Sequence, residues 1–252
     1  MAAASRQRLF NVPSVVVATI GVLLLVHVMR TYGFSLVDDR RFLLTFAFFP
    51  ARYDSSAVAP NIWPGGWPGD AWTFVTYALI HGDWTHLGLN AVWLLAFGSA
   101  VARRFGTFRF LAFFVITAAA GAAAHLATHT GDLWPMAGAS AAISGYMAAA
   151  LRFVFQSGGP LGWMGSEPGS YLRPAARLSV ALRQPQVLVF LAVWFGLNLL
   201  FSVSSFSLAD EGQSIAWQAH IGGFVAGLLL FPVFDPVPRR RDDNDPSQSA
   251  PL

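Results

Sequence analysis

Three polar stations interrupt an otherwise apolar chain: His86 with Asn90, Ser140 in Gly138-Ala139-Ser140, and His220 in Ala219-His220-Ile221-Gly222-Gly223. A hydroxyl, an imidazole and a pair of hydrogen-bond donors are the parts of a serine hydrolase: a nucleophile, its base, and stabilisers of an oxyanion. His220 carries the most weight, because an imidazole inside an apolar run is costly unless it faces a partner or water. A serine in a membrane helix more commonly bonds a carbonyl one turn back. Around Ser140, however, Gly138 and the neighbouring alanines admit another backbone, Pro135 marks a helix start, and the first turn offers free N–H groups for an anion. Ser144, one turn deeper, is the rival nucleophile.

His86 and Asn90 stand four apart, on one face of a helix, and supply donors without a nucleophile, which suits an oxyanion hole; the alternative for Asn90 is a bond between helices. None of the apolar runs contains Asp or Glu, so no buried carboxylate is available to orient the imidazole, and a Ser-His dyad is expected rather than a triad. His81 is read as a residue orienting the loop before its helix. His27, His125 and His129, near the ends of runs, are read as facing the interface, with no chemistry assigned.

The elements that position these stations follow from composition. Of 252 residues, 55% are hydrophobic and 12% charged, and the mean hydropathy is positive, which is the balance of a membrane protein. With no cysteine, disulfides, thiolate metal sites and a cysteine nucleophile are excluded. The net charge of +3 comes with Arg as the only strong base, and no basic groove with interleaved aromatics indicates nucleic acid.

Six apolar runs, 12–29, 84–102, 110–128, 137–155, 187–203 and 216–234, approach the roughly 20 helical residues that cross a hydrocarbon core. Pro13 suits the first turn of the first. Two are impure: Arg152 lies near the end of the fourth, where it can snorkel, and Asn198 lies in the fifth. The prediction is an all-α bundle of six transmembrane helices.

Orientation follows from Arg between alternate loops. With the N-terminus inside, 12 of the 16 basic residues fall on the inner side, and Arg30, Arg40, Arg41 and Arg52 on the outer side. Both termini are therefore expected in the cytoplasm. Runs two, four and six then start at the outer side and place Ser140 and His220 about 5 to 8 Å below their helix starts, near the outer leaflet.

The organisation expected is a cytoplasmic N-terminus at 1–11, a membrane domain at 12–235 with an outer interfacial loop region at 31–83, and a polar, disordered tail at 236–252. The outer loop mixes Phe34, Phe42, Phe46, Trp63 and Trp67 with charge, the composition of the headgroup level; 53–60 reads as solvated. Arg6 and Arg8 precede the first run without a cleavage pattern after it, so it is read as an uncleaved anchor. The Gly-, Pro- and Arg-rich stretch 156–186 reads as an inner connector. Short termini and Arg-only usage suggest a bacterial inner membrane.

At these residues the chain resembles the rhomboid family of intramembrane serine proteases. The likeness rests on His81-Gly82-Asp83-Trp84-Thr85-His86-Leu87-Gly88-Leu89-Asn90, then Gly138-Ala139-Ser140, then Ala219-His220-Ile221-Gly222-Gly223, in the family's order on runs two, four and six. The resemblance implies Ser140 as nucleophile, His220 as its base, and His86, Asn90 and the Ser140 N–H as the oxyanion hole. It implies substrates that are themselves transmembrane proteins, cleaved in or near their spans, a lipid bilayer as setting, lateral substrate access near runs two and five, and no metal or cofactor.

Three positions depart from the family's pattern: Ala141 follows the nucleophile in place of glycine, Ser144 stands where an aromatic often supports the histidine, and Trp72-Thr73 replaces a Trp-Arg pair that anchors the outer loop. Two other readings compete. A catalytically inactive relative would bind transmembrane segments with the same fold. A haem protein would use His86 and His220 as axial ligands, but leaves Ser140 and Asn90 unexplained.

Overall fold

The computed structural model describes residues 12–56, 62–161, 169–203 and 216–238. The expected N-terminus 1–11, the part of the solvated loop at 57–60, and the tail from Arg239 lie outside the described residues. Among the described residues every regular element is helical, and extended pairing is confined to one bridge, Phe48 with Met136. In chain order the α-helices are α1 Ser14–Val28, α2 Leu36–Phe46, α3 Gly66–Thr76, α4 Trp84–Trp93, α5 Ser99–Thr128, α6 Ser140–Ala150, α7 Leu178–Ala181, α8 Pro185–Val203 and α9 Trp217–Phe234.

Among the described residues three stretches are long and apolar enough to cross a membrane: Ser14–Gly33, Trp84–Thr128 and Trp217–Phe234, with Pro185–Leu200 a shorter apolar helix. These are the helices of an integral membrane protein. The middle stretch is 45 residues long and doubles back at Gly106, whose φ of 74° and ψ of 170° no helix adopts. Phe105 and Phe113 then meet with ring centroids 5.4 Å apart. A Cβ on Gly98 would reach within 3.6 Å of the Phe110 ring, whereas twelve residues of straight helix would separate the two by about 18 Å. Runs 84–102 and 110–128 are the two arms of this reversal.

The fourth run differs from its expected length. α6 has 11 residues instead of the 19 of 137–155. Its start is fixed by a strap: Gly138 takes φ 122°, the Gly138 N–H donates to the Tyr77 carbonyl at 3.1 Å, and Met136 pairs with Phe48 at 2.7 and 3.2 Å. The helix therefore begins at Ser140 itself. Beyond Ala150 the chain turns, with the Ala176 N–H on the Arg152 carbonyl at 2.9 Å. Arg152 does not snorkel; it is buried, with Nε on the Ala176 carbonyl at 2.9 Å and its guanidinium over the Phe231 ring. A helix walled by other helices needs neither a full span's length nor an apolar outer face.

That walling depends on small side chains. Every α6 residue after Ser140 is buried. A Cβ on Gly223 of α9 would collide with the Ala141 carbonyl, one on Gly227 would meet the Gly145 backbone, and one on Gly145 would meet Thr117 of α5. Backbones at this separation gain dispersion contact along the whole crossing, which is the main attraction available between helices in lipid. One end of the bundle is pinned by Arg104, whose guanidinium grips Asp235 through two bonds of 2.8 Å and donates to the carbonyls of Tyr171 and Arg173.

On the other side lies the loop carrying α2 and α3. Ser35 caps α2, accepting the Asp38 N–H at 3.2 Å, with Asp38 and Asp39 favourably placed in the first turn. The anchoring that Trp72-Thr73 leaves open is supplied by Arg52. Its side chain is fully buried, bonded to Asp70 at 2.7 Å and to the Pro64 carbonyl at 2.7 Å. Tyr53 completes it, its hydroxyl 2.7 Å from Thr73 Oγ1, while Trp72 Nε1 donates to the Thr45 carbonyl. The same loop leaves Leu36, Val37 and Trp67 exposed.

Candidate active site

Ser140, at the first position of α6, and His220, in the first turn of α9, are brought together by the glycine contacts just described. Ser140 Oγ and His220 Nε2 are 2.7 Å apart. Ser144 takes no part: its hydroxyl donates to the Ser140 carbonyl at 2.8 Å, the usual local bond of a helical serine. The two candidate nucleophiles are thus distinguished by geometry, one on the ring and one on its own helix.

His86 is held by its helix cap. Asp83 Oδ1 accepts the His86 N–H at 2.8 Å, and this fixes the first turn of α4 where it faces the strap. A Cβ on Gly138 would sit 2.7 Å from His86 Cε1 and Nε2 and 3.7 Å from Ser140 Oγ. The imidazole edge and the serine hydroxyl therefore flank the same α-carbon, and only glycine leaves room for both. Asn90 is buried one turn on; its Nδ2 donates to the His86 carbonyl at 3.1 Å, a bond within α4 rather than between helices, and its second N–H remains for another acceptor.

These side chains share a cavity of about 290 Å³, lined by His86, Asn90, Ser140 and His220 together with Trp93 and Trp194, with the exposed Trp134 at its rim. An attacking hydroxyl, an imidazole with its lone pair in reach of that hydroxyl, and N–H donors around the same space can carry out acyl transfer.

His81 is wholly buried and joins two of the three motifs. Its Nε2 accepts the Ala139 N–H at a long 3.5 Å, its carbonyl accepts Arg30 Nη1 at 2.9 Å, and its ring meets His86 edge-on at 5.0 Å. Burial, helped by His86, His27 and Arg30 nearby, pushes its pKa from the ordinary 6.5 down to about 3, so it stays neutral and keeps a lone pair for the strap. His27 and His125 do not face the interface. Both are buried, His27 edge-on to Trp84 at 4.6 Å and His125 stacked on His129 at 4.3 Å.

One residue of the site was visible in the sequence only as an impurity of its run. Asn198 of α8 lines the same cavity and its Oδ1 stands 2.5 Å from His220 Nδ1. The signal for it was a lone amide in an apolar helix, which calls for a partner.

A model of the Rhomboid domain matches residues 68–235, two thirds of the chain. Rhomboid protease AarA of Providencia stuartii is 26% identical over 194 residues, 71% of this chain and 62% of that protein. Rhomboid protease GluP of Bacillus subtilis (strain 168) is 37% identical over 83 residues, 33% of this chain and 16% of that protein. The match thus takes in less than two thirds of the length of either relative. Because the domain match runs through all the helices that carry His86, Ser140 and His220, the chain belongs to the rhomboid family.

Proposed function

We propose that the protein is an intramembrane serine protease that hydrolyses peptide bonds in or near the transmembrane segments of other membrane proteins. The observation that carries this reading is the 2.7 Å contact of Ser140 Oγ with His220 Nε2 inside a cavity also lined by His86 and Asn90. His220 Nε2 takes the hydroxyl proton as Ser140 Oγ attacks the scissile carbonyl carbon. The oxyanion so formed is received by His86, Asn90 and the Ser140 N–H, which as a first-turn amide has no acceptor within its helix. A donor of this kind typically lowers the barrier by about 3 to 4 kcal/mol. The Nε2 proton then passes to the leaving amine as the C–N bond breaks, and water repeats the sequence on the acyl-enzyme.

The architecture that goes with this reading is a membrane domain at 12–235 of six transmembrane helices, flanked by a cytoplasmic N-terminal segment 1–11 and a polar tail 236–252, with both termini in the cytoplasm. The outer loop region 31–83, with Leu36, Val37 and Trp67 exposed, then rests at the headgroup level, and the site receives water from the outer face. Bacterial relatives and Arg-only usage support an inner-membrane location.

The test is cleavage of one membrane-anchored reporter by wild type, Ser140→Ala and His220→Ala proteins in detergent. Each substitution is expected to reduce kcat by as much as about a millionfold, the scale on which serine hydrolases lose rate without nucleophile or base. A serine-reactive phosphonate should label wild type and not Ser140→Ala. Cleavage or labelling that survives Ser140→Ala would overturn the reading.

A further inference from the structure

We propose that Asn198 is the positioning residue of His220, so that the site works as a Ser-His pair oriented by an amide and not as a bare dyad. The inference rests on the serine-protease reading above. It starts from the two nitrogens of one ring: Nε2 lies 2.7 Å from Ser140 Oγ, and Nδ1 lies 2.5 Å from Asn198 Oδ1.

The orientation of the amide follows from its other end. Asn198 Nδ2 donates to the Trp194 carbonyl at 2.8 Å, one turn back on α8. Were the amide flipped, its oxygen would face that carbonyl, acceptor against acceptor. With Nδ2 so engaged, Oδ1 is the atom presented to the ring, and an amide oxygen can only accept. His220 must therefore carry its proton on Nδ1, which leaves the Nε2 lone pair facing the serine hydroxyl. This is the tautomer a general base needs, and the role matches that of the third member of a catalytic triad: holding the ring's tautomer and angle without itself taking a proton. When Nε2 receives the Ser140 proton, Nδ1–H stays on Asn198 Oδ1, and the amide dipole faces the positive charge that forms.

Two further observations fit. Ser144 occupies the place one turn past the nucleophile and its hydroxyl is spent on the Ser140 carbonyl, so that position gives the ring no support. The ring is instead held from α8, where Trp194 stacks on Phe224 of α9 at 4.7 Å and fixes the two helices in register around the Asn198 bond. A neutral amide also suits an apolar helix, in which a carboxylate would be far more costly to bury.

The experiment compares wild type, Ser140→Ala, Asn198→Leu and Asn198→Asp in detergent, reading kcat and KM on a membrane-anchored reporter, the rate of labelling by a serine-reactive phosphonate, and the thermal midpoint. Asn198→Leu keeps the side-chain size and loses the acceptor. It is expected to lower kcat and labelling rate together by on the order of 10- to 100-fold, the scale on which the outer partner of a histidine ligand counts, with KM and midpoint close to wild type. Asn198→Asp, taken up in this apolar setting as the neutral acid with its O–H on the Trp194 carbonyl and its other oxygen on Nδ1, keeps both bonds and is expected to recover most of the rate. Unchanged kcat and labelling in Asn198→Leu would overturn the proposal, as would losses in both variants that merely track a lowered midpoint. Cleavage by Ser140→Ala would overturn the protease reading itself, an outcome separate from either.

Discussion

His81 shows how one side chain can serve the site without lining its cavity. It stands five residues before His86, and its ring nitrogen accepts the N–H of Ala139, the residue just before Ser140, so a neutral imidazole ties the start of α4 to the strap before α6. In the unfolded chain its pKa is the ordinary 6.5, and in the folded protein burial first, then the proximity of His86, His27 and Arg30, bring it to about 3. Between those values the unfolded chain binds the extra proton, so this residue's contribution to stability is complete above about 6.5 and is lost progressively as pH falls toward about 3. His81→Gln keeps an oxygen acceptor and removes the titration. The expected outcome is a thermal midpoint that falls less steeply than that of wild type between about pH 7 and pH 4; parallel curves would show that His81 does not remain neutral in the fold.

At the scale of elements, the proposed activity depends on how closely α9 approaches α6, because Ser140 and His220 meet across the first turns of these two helices. The tightest point of that approach, Gly223 over the Ala141 carbonyl, is three residues from His220 and one from Ser140. Overpacking a filled core costs about 1 to 3 kcal/mol when side chains can shift; here the obstacle is backbone, so Gly223→Val is expected to cost at least about 3 kcal/mol. It should also abolish reporter cleavage by separating Oγ from Nε2. A detergent unfolding curve and a cleavage assay matching wild type would show that the crossing is looser than described. The small residues of this crossing were legible because Gly223-x-x-x-Gly227 repeats at a helical interval, and so was the polar cast of Ser140, His86, Asn90 and His220, because each interrupts an apolar run. What was not legible came from distant partners. The start of α6 is set by Tyr77 and Phe48, more than sixty residues upstream of the strap they hold. The partner of Asn198 depends on the register of α8 against α9, and that of Arg104 lies 131 residues away, distances over which hydrophobic periodicity carries no information.

For the whole molecule, the dyad and the Arg104–Asp235 pair lie at opposite ends of α9: fifteen residues from His220 to Asp235 amount to about 22 Å of helix. The end with Arg104 gathers the arginines at 103, 104, 109, 152, 173, 177 and 183, and the end with the dyad gathers the loop of α2 and α3. If cytoplasmic loops collect positive charge, the cavity faces the outer side, where water for the proposed deacylation step is available. The chain contains no cysteine, so a single introduced thiol reports its own side of the membrane against no background. Ser56 of the outer loop and Thr107 at the Gly106 reversal are both exposed and suit this use. In intact cells a membrane-impermeant maleimide is expected to label Ser56→Cys at once and Thr107→Cys only after the membrane is permeabilised. The reverse pattern would place the termini outside and turn the cavity toward the cytoplasm. Labelling of both in intact cells would mean that the chain between α3 and the Gly106 turn does not cross the bilayer at all, and the site would then have to act on peptide bonds presented at one surface.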